Sequence, residues 1–246
     1  MAQIREIRLD SWWEFKRDLV PEFLDVGPYR RDVQLFRGMR SPRWRLESTF
    51  DRICRRVEAD RRTKLFDALL ASFRDACRDF GLPEEPCRDE RRLIALGRHH
   101  GLPTRLLDWT GSPYVAAFFA YQEALEQIED PDSHVVLWVL HRQCPVWSGE
   151  HDVEIMAAPS FENARARNQA GHFTLSRSPY HSLEEVVTHC TEVTGVALTR
   201  ILLPLSDVRT VLADLDLMGI SAGQLFPDVT GVAAACTVRF LLERQP

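Results

Sequence analysis

Residues 96–120 contain most of the side chains that could bind or act on a ligand. Histidine, arginine, aspartate, tryptophan and hydroxyl groups surround a short apolar stretch here, directly before an apolar helix. Arg105 and Asp108 flank Leu106-Leu107, and burying such charges is unfavourable unless they are paired or bind something. The segment therefore predicts the floor of a binding site. The alternative is an Arg–Asp pair that only fixes a turn.

The polar groups of this segment would divide between two faces if residues 105–109 form a strand. Side chains alternate along a strand, so Asp108 would lie among hydroxyl groups, opposite Arg105 and Trp109. Asp108 could then hold a ligand hydroxyl or a ring nitrogen. Trp109 would offer a flat surface for a base, unless it belongs to the core. The helix that starts at Ser112-Pro113 would add an N-terminus, where anions bind readily.

Phe36-Arg37-Gly38 ends a second predicted strand. The planar fork of Arg37 suits phosphate or carboxylate oxygens, and Gly38 allows backbone to approach a ligand closely. An arginine that simply reaches solvent from a strand end is the alternative.

Two later stretches are candidates as well. Residues 163–173 combine Asn163, Arg165, Gln169 and His172 around a turn at Gly171. By itself this sequence also fits an ordinary basic loop. Residues 226–228 (FPD) favour an anchoring turn before the last helix.

Composition limits the class of protein. With 45% hydrophobic and 27% charged residues, the chain can form a packed core, and its net charge of −5 argues against a protein that mainly coats nucleic acid. Direct nucleic-acid binding by the arginines at positions 52, 55, 56, 61 and 62 is the weakest alternative, because acidic residues interleave with them. The six cysteines lack metal-ligand spacing, so we expect reduced thiols, no metal and a cytoplasmic location. No apolar stretch suggests contact with a membrane.

Periodicity predicts the elements that would position these residues. Helices are expected at 10–24, 46–80 with a break around 59–62, 88–99, 112–125, 208–217 and from about 228 to 243. Strands are expected at 33–37, 105–109, 134–141 and 200–205, and a loop at 81–86. The chain is predicted to be one α+β domain over 1–246, with the helix at 10–24 packed on it and a small central sheet surrounded by helices.

These motifs together resemble the FRG domain family, which is named for its Phe-Arg-Gly stretch. The resemblance rests on residues 36–38, on His99 with residues 101–110 (GLPTRLLDWT), and on Ser112-Pro113 with the following AxxFA pattern. It extends through residues 163–173 to 219–228 and covers roughly residues 33–230. Arg98 stands where the family usually has glutamine, and His100 where an aromatic residue is usual. Both differences add positive charge near the predicted site.

A weaker resemblance, to ADP-ribosyltransferases, implies a function and a sheet core of that type. By this resemblance, Arg37 would bind a phosphate or ribose of NAD. Asp108, Thr110 or Ser112 would bind the nicotinamide ribose. Gln169 would take the place of the late glutamate, although an amide stabilises a cationic transition state poorly. Glu154 is an alternative carboxylate. The other predicted cofactor contacts are Gly38, His99, Thr104, Arg105, Trp109 and Phe173.

Two functions follow as hypotheses. The first is an NAD-consuming transferase or glycohydrolase, acting on an unknown macromolecular acceptor or on NAD itself as an effector in bacterial conflict or phage defence. The second is a module that binds a nucleotide or a partner without turnover.

Overall fold

A seven-stranded mixed sheet forms the centre of the part of the chain that the structure describes. The structure is a computed structural model that describes residues 1–24, 33–125, 133–158 and 168–244. Across the sheet the strands follow the order β1 (Ala2–Arg8), β7 (Gly195–Pro204), β4 (His134–His141), β2 (Gln34–Met39), β3 (Leu106–Thr110), β6 (Gly171–Ser176) and β5 (Val153–Ala157). β1 and β7 are parallel, and the other neighbouring strands are antiparallel.

Helices cover both faces of this sheet. Near the N-terminus α1 (Trp12–Glu14) continues through a π-helical segment (Phe15–Leu19) into α2 (Val20–Leu24). The others are α3 (Thr49–Ile53), α4 (Ala59–Asp79), α5 (Glu84–Arg88), α6 (Glu90–His99), α7 (Pro113–Leu125), α8 (Leu183–His189), α9 (Val208–Leu217), α10 (Ala222–Leu225) and α11 (Val229–Arg244). Single 3₁₀ turns occupy Pro145–Trp147, Gly149–His151 and Leu205–Asp207. The predicted mixed α+β class is confirmed.

β4 is the central strand that its apolar run predicts. Its interior residues are buried on both faces, because the strand separates two hydrophobic cores. Val135, Leu137 and Val139 pack into the core that contains α7 and α9, whereas Val136 and Leu140 pack into the core on the opposite face. A strand covered on both sides needs apolar residues at every position, which explains the absence of alternation in its sequence.

The N-terminal helical segment is anchored to α9 by Trp12. The backbone N–H of Trp12 donates to Asp207 Oδ2, and its indole N–H donates to Asp214 Oδ2, both at 2.7 Å. Lys16 also contacts Asp214, at 2.7 Å. The Trp12 side chain is fully buried, so the segment that begins at the Ser11 cap covers a core.

The contact between β2 and α7 depends on Gly38. A Cβ built on this glycine would lie 1.8 Å from the carbonyl oxygen of Ala116 and 2.9 Å from the backbone nitrogen of Ala120. β2 and α7 therefore approach each other so closely that only glycine, which has no Cβ, fits at position 38. This packing gives a structural reason for the glycine of the Phe-Arg-Gly motif.

Several predicted element boundaries are wrong. The predicted break at 59–62 falls instead at residues 54–58, because Phe50 of α3 and Phe66 of α4 pack in one core and the chain must turn between them. β1 was not predicted, because its charged residues make the strand pattern difficult to recognise. β3 begins one residue later than predicted, and α5 starts within the predicted loop at 81–86.

Candidate functional site at the junction of β2 and β3

The sheet is weakly joined between β2 and β3. Only Phe36 and Thr110 are paired across this junction, whereas β2 pairs with β4 at six positions. The side chain of Arg37 spans the gap: its Nη1 donates to the carbonyl oxygen of Asp108 at 2.7 Å and lies 3.8 Å from Asp108 Oδ2. The two residues that the sequence singled out on separate strands are thus in contact.

Arginines from two helices join this pair. Arg98 of α6 donates from Nη2 to Asp108 Oδ2, and its Nη1 lies 3.3 Å from Thr49 Oγ1 on α3. Arg52 of α3 donates to the same hydroxyl at 3.2 Å. We call Arg37, Thr49, Arg52, Arg98 and Asp108 the junction cluster.

Positive charge is in excess around the junction cluster. Arg37, Arg52 and Arg98 carry three positive charges, and Asp108 and the nearby Glu123 supply two negative ones. The Nε of Arg37 is buried without a hydrogen-bond partner. The side chains of Arg37 and Asp108 are 22% and 46% exposed, so a ligand can reach them. The cluster therefore suits an anionic ligand.

The cluster keeps Asp108 ionised. Burial favours the neutral acid, but the charge and hydrogen bond of Arg98, together with the charge of Arg37, outweigh it, so the pKa of Asp108 lies below its usual range. Burial likewise lowers the pKa of Arg37, and the charge of Asp108 acts in the opposite direction. An arginine remains protonated at neutral pH even so. At neutral pH Asp108 is thus an acceptor beside cationic donors.

Thr110, Ser112 and Phe173 lie next to the junction cluster. Thr110 Oγ1 accepts from the backbone N–H of Ser112 at 3.1 Å, and Ser112 Oγ accepts from that of Val115 at 3.3 Å. These hydroxyls therefore order the start of α7. Phe173 is paired with Asp108 in the β3–β6 register and is half-buried.

Thr104, Arg105 and Trp109 lie away from the junction cluster. Trp109 is 3% exposed, and its indole N–H donates to Thr174 Oγ1 at 3.0 Å. Arg105 contacts Asp51 and the carbonyl oxygen of Ser178. Both residues lie on the face opposite Asp108, as strand alternation predicts. Thr104 is fully buried.

Gln169 and His99 do not contact the junction cluster. The amide nitrogen of Gln169 donates to the carbonyl oxygen of Leu225 at 3.2 Å and so holds its loop against α10. His99 is exposed at the end of α6, edge-on to His100. Glu154, the alternative carboxylate, pairs with Arg91 at 2.6 Å. Asn163 and Arg165 lie outside the described residues.

The sequence did not indicate that Thr49 and Arg52 belong to the junction cluster or that Glu123 lies near it, and Arg98 stood out only as a departure from a family pattern. One signal was present for Arg98. Leu93, Ile94 and Gly97 form the buried face of α6, so position 98 borders that face, whereas His99 points further from it. No local signal indicates that α3 lies beside α6.

Neither a metal centre nor a membrane span is found among the described residues. They contain no group of three or more His, Cys, Asp and Glu side chains that could hold a metal ion. None of their helices is both long enough and apolar enough to cross a bilayer.

A family comparison agrees with these motifs. A family model with the description FRG domain matches residues 33–129. That range contains every member of the junction cluster, and the chain therefore contains an FRG domain. No curated protein and no solved structure matches the chain.

Proposed function

We propose that this FRG domain protein binds the phosphates of a nucleotide, with NAD as the first candidate, in the junction cluster. The observation that carries this proposal is the convergence of Arg37, Arg98 and Arg52 at the point where two strands of the sheet separate. Guanidinium groups match phosphate oxygens in shape and charge. The side chain of Arg37 is 22% exposed, so a phosphate oxygen can approach it.

Asp108 and Phe173 give the ligand two further contacts. The ionised carboxylate of Asp108 can accept hydrogen bonds from ribose hydroxyls. Phe173 lies beside it in the register and keeps part of its ring exposed, which suits stacking with a base. Trp109 has no part in this proposal because its ring is in the core.

Titration calorimetry with NAD, ADP-ribose and AMP tests the binding. We expect Arg37→Gln and Arg98→Gln to weaken binding by about 10- to 100-fold each, because a hydrogen bond to a charged group contributes about 1.5–3 kcal/mol. Arg78→Gln is the matched control, because Arg78 makes only an exposed contact with Asp75. Its affinity should equal that of the wild type. The proposal is wrong if none of these ligands binds, or if Arg37→Gln binds as the wild type does.

Cleavage of NAD is the second candidate function, and the state of Asp108 favours it. This carboxylate is ionised and 46% exposed, so it could stabilise the positive charge that develops on ribose as the bond to nicotinamide breaks. Water or a macromolecule would then accept the ADP-ribose group. Such an activity would suit the effector role in bacterial conflict or phage defence that we infer from the resemblance.

Release of free nicotinamide from NAD distinguishes cleavage from binding alone. If the protein is an enzyme, we expect Asp108→Asn to slow release by about 100- to 1,000-fold, the loss typical of one electrostatic stabiliser. NAD affinity should change only a few-fold, because the amide can still accept a hydrogen bond. A wild-type protein that binds NAD and releases no nicotinamide would be a binding module.

A further inference from the structure

α4 is the longest helix in the described part of the chain, and one side of it packs on the rest of the domain. Arg62 and Phe66 are each 1% exposed on that side. The Nε of Arg62 lies 3.5 Å from Asp51 Oδ1 on α3, and the ring of Phe66 packs against that of Phe50 on the same helix. These contacts fix the rotation of α4 about its axis, so they determine which of its residues face outward.

The exposed side of α4 has an apolar edge. Leu65 and Phe80 are 40% and 85% exposed. Between them, Leu69 is half-buried and Ala76 is exposed. Steps of four and seven residues keep these side chains on one side of the helix. Apolar groups that lie together on a surface are typical of a contact with another protein.

The other edge of the exposed side carries a charge of opposite sign at each end. Arg61 lies in the first turn and Asp79 is the last residue, about five full turns away, so the two lie on one line along the helix. Both are exposed, and neither forms an ion pair with a residue in the described ranges. The helix dipole disfavours a cation near the N-terminus and an anion at the C-terminus. We call Arg61, Leu65, Leu69, Ala76 and Asp79 the outer face of α4.

The remaining charged residues of α4 do not cancel this arrangement. Those that lie more than about 100° around the helix from the middle of the outer face are Asp60, Arg62, Asp67, Arg74 and Arg78. Lys64 and Asp75 border the outer face. Asp75 is held by Arg78, whereas Lys64 adds positive charge beside Arg61. The outer face is therefore positive at its beginning and negative at its end.

We propose that two copies of this chain associate through the outer faces of their α4 helices, which run antiparallel about a twofold axis. Arg61 then meets the partner's Asp79, and the symmetry makes this contact twice. The same axis places Leu65 beside the partner's Ala76, a large side chain against a small one. Parallel helices would bring like charges together, so the charges select the antiparallel orientation. Each copy also supplies the charge that the dipole of the other helix favours.

Analytical ultracentrifugation over a range of protein concentrations tests the association. A contact along about 27 Å of one helix pair is small beside a standard interface of about 1,600 Å². We therefore expect a micromolar dissociation constant that rises with salt. Arg61→Asp and Asp79→Arg should each weaken association by about 10-fold or more, because like charges then meet at both ends. An equimolar mixture of the two variants should form a dimer again. The proposal is overturned if the wild type or the mixture stays monomeric.

Two exposed neighbours in α4 give a matched comparison. Ser72→Glu places a carboxylate in the middle of the outer face, close to the same group of the partner. Ala71→Glu places it about 100° further around the helix. Both positions are exposed, so both variants should fold, and only Ser72→Glu should abolish the dimer. Equal dissociation constants would show that the copies do not meet through the outer face.

Carbodiimide coupling tests the antiparallel orientation. The reagent joins the Lys64 amine to a carboxylate as an amide, and the water lost converts the carbodiimide to a urea. Lys64 and Asp79 of one chain are about 22 Å apart along the helix, too far for such a bond, so a Lys64–Asp79 crosslink found by mass spectrometry must join two copies. Lys64→Arg should lose this crosslink and still form the dimer. A wild-type dimer without the crosslink would refute the antiparallel pair.

Discussion

Gly38→Ala is expected to lower the free energy of unfolding by about 3 kcal/mol, the upper end of the usual cost of overpacking. The added Cβ would lie 1.8 Å from the carbonyl oxygen of Ala116. The atoms that it meets belong to the backbone of α7 and cannot rotate away, so strand and helix must separate. The unfolding midpoint should fall by about 6–12 °C, which differential scanning calorimetry would measure.

Gly223→Ala is the matched control for this substitution. Gly223 lies in α10, and the nearest atom to a Cβ built there is the Cβ of Ala235, at 3.8 Å. Alanine is favoured over glycine within helices, so the midpoint should stay the same or rise slightly. If Gly38→Ala unfolds at the wild-type temperature, β2 and α7 are not in the close contact described above.

Asp51→Ala is expected to lower the free energy of unfolding by about 3–5 kcal/mol. The substitution leaves Arg62 and Arg105 buried without their carboxylate, and breaking a buried pair from one side has a cost of that size. It also removes the hydrogen bond from Ser48 Oγ to Asp51 Oδ2. Urea unfolding should show a lower midpoint with little change in slope.

Asp75→Ala provides the comparison, because Asp75 forms only an exposed pair with Arg78. Its loss should change the free energy of unfolding by less than about 0.5 kcal/mol. Equal stability of the two variants would mean that Asp51 is solvated in the folded protein rather than buried with the arginines.

Elements that one local pattern determines were predicted well. The continuous apolar run of β4 and the Ser112-Pro113 start of the apolar helix α7 need no partner to be recognised, and both elements form within one residue of the predicted positions. β1 is different, because its charged residues Arg5, Glu6 and Arg8 are typical of a solvated segment. Only the pairing with β7 makes this segment a strand. Its pairing with residues near position 200 has no trace in the local sequence.

The sequence indicated which kinds of side chain form the candidate site, but it did not identify all of the residues. Alternation along β3 separates Asp108 from Arg105 and Trp109 correctly, since it depends only on strand geometry. It does not say which of the two faces stays open to a ligand. That depends on how α3 and α6 pack on the sheet, and this packing places Arg98 on Asp108.

The position of β7 between β1 and β4 has a consequence for synthesis of the chain. β1 is made long before its pairing partner, Gly195–Pro204. At about 5–20 residues per second, roughly 10–40 s pass on the ribosome before that partner exists. Until then β1 and the exposed edge of β4 are unpaired and able to bind other chains. Although β1 is made before the other described strands, it is therefore among the last of them to pair, because its pairing requires β7.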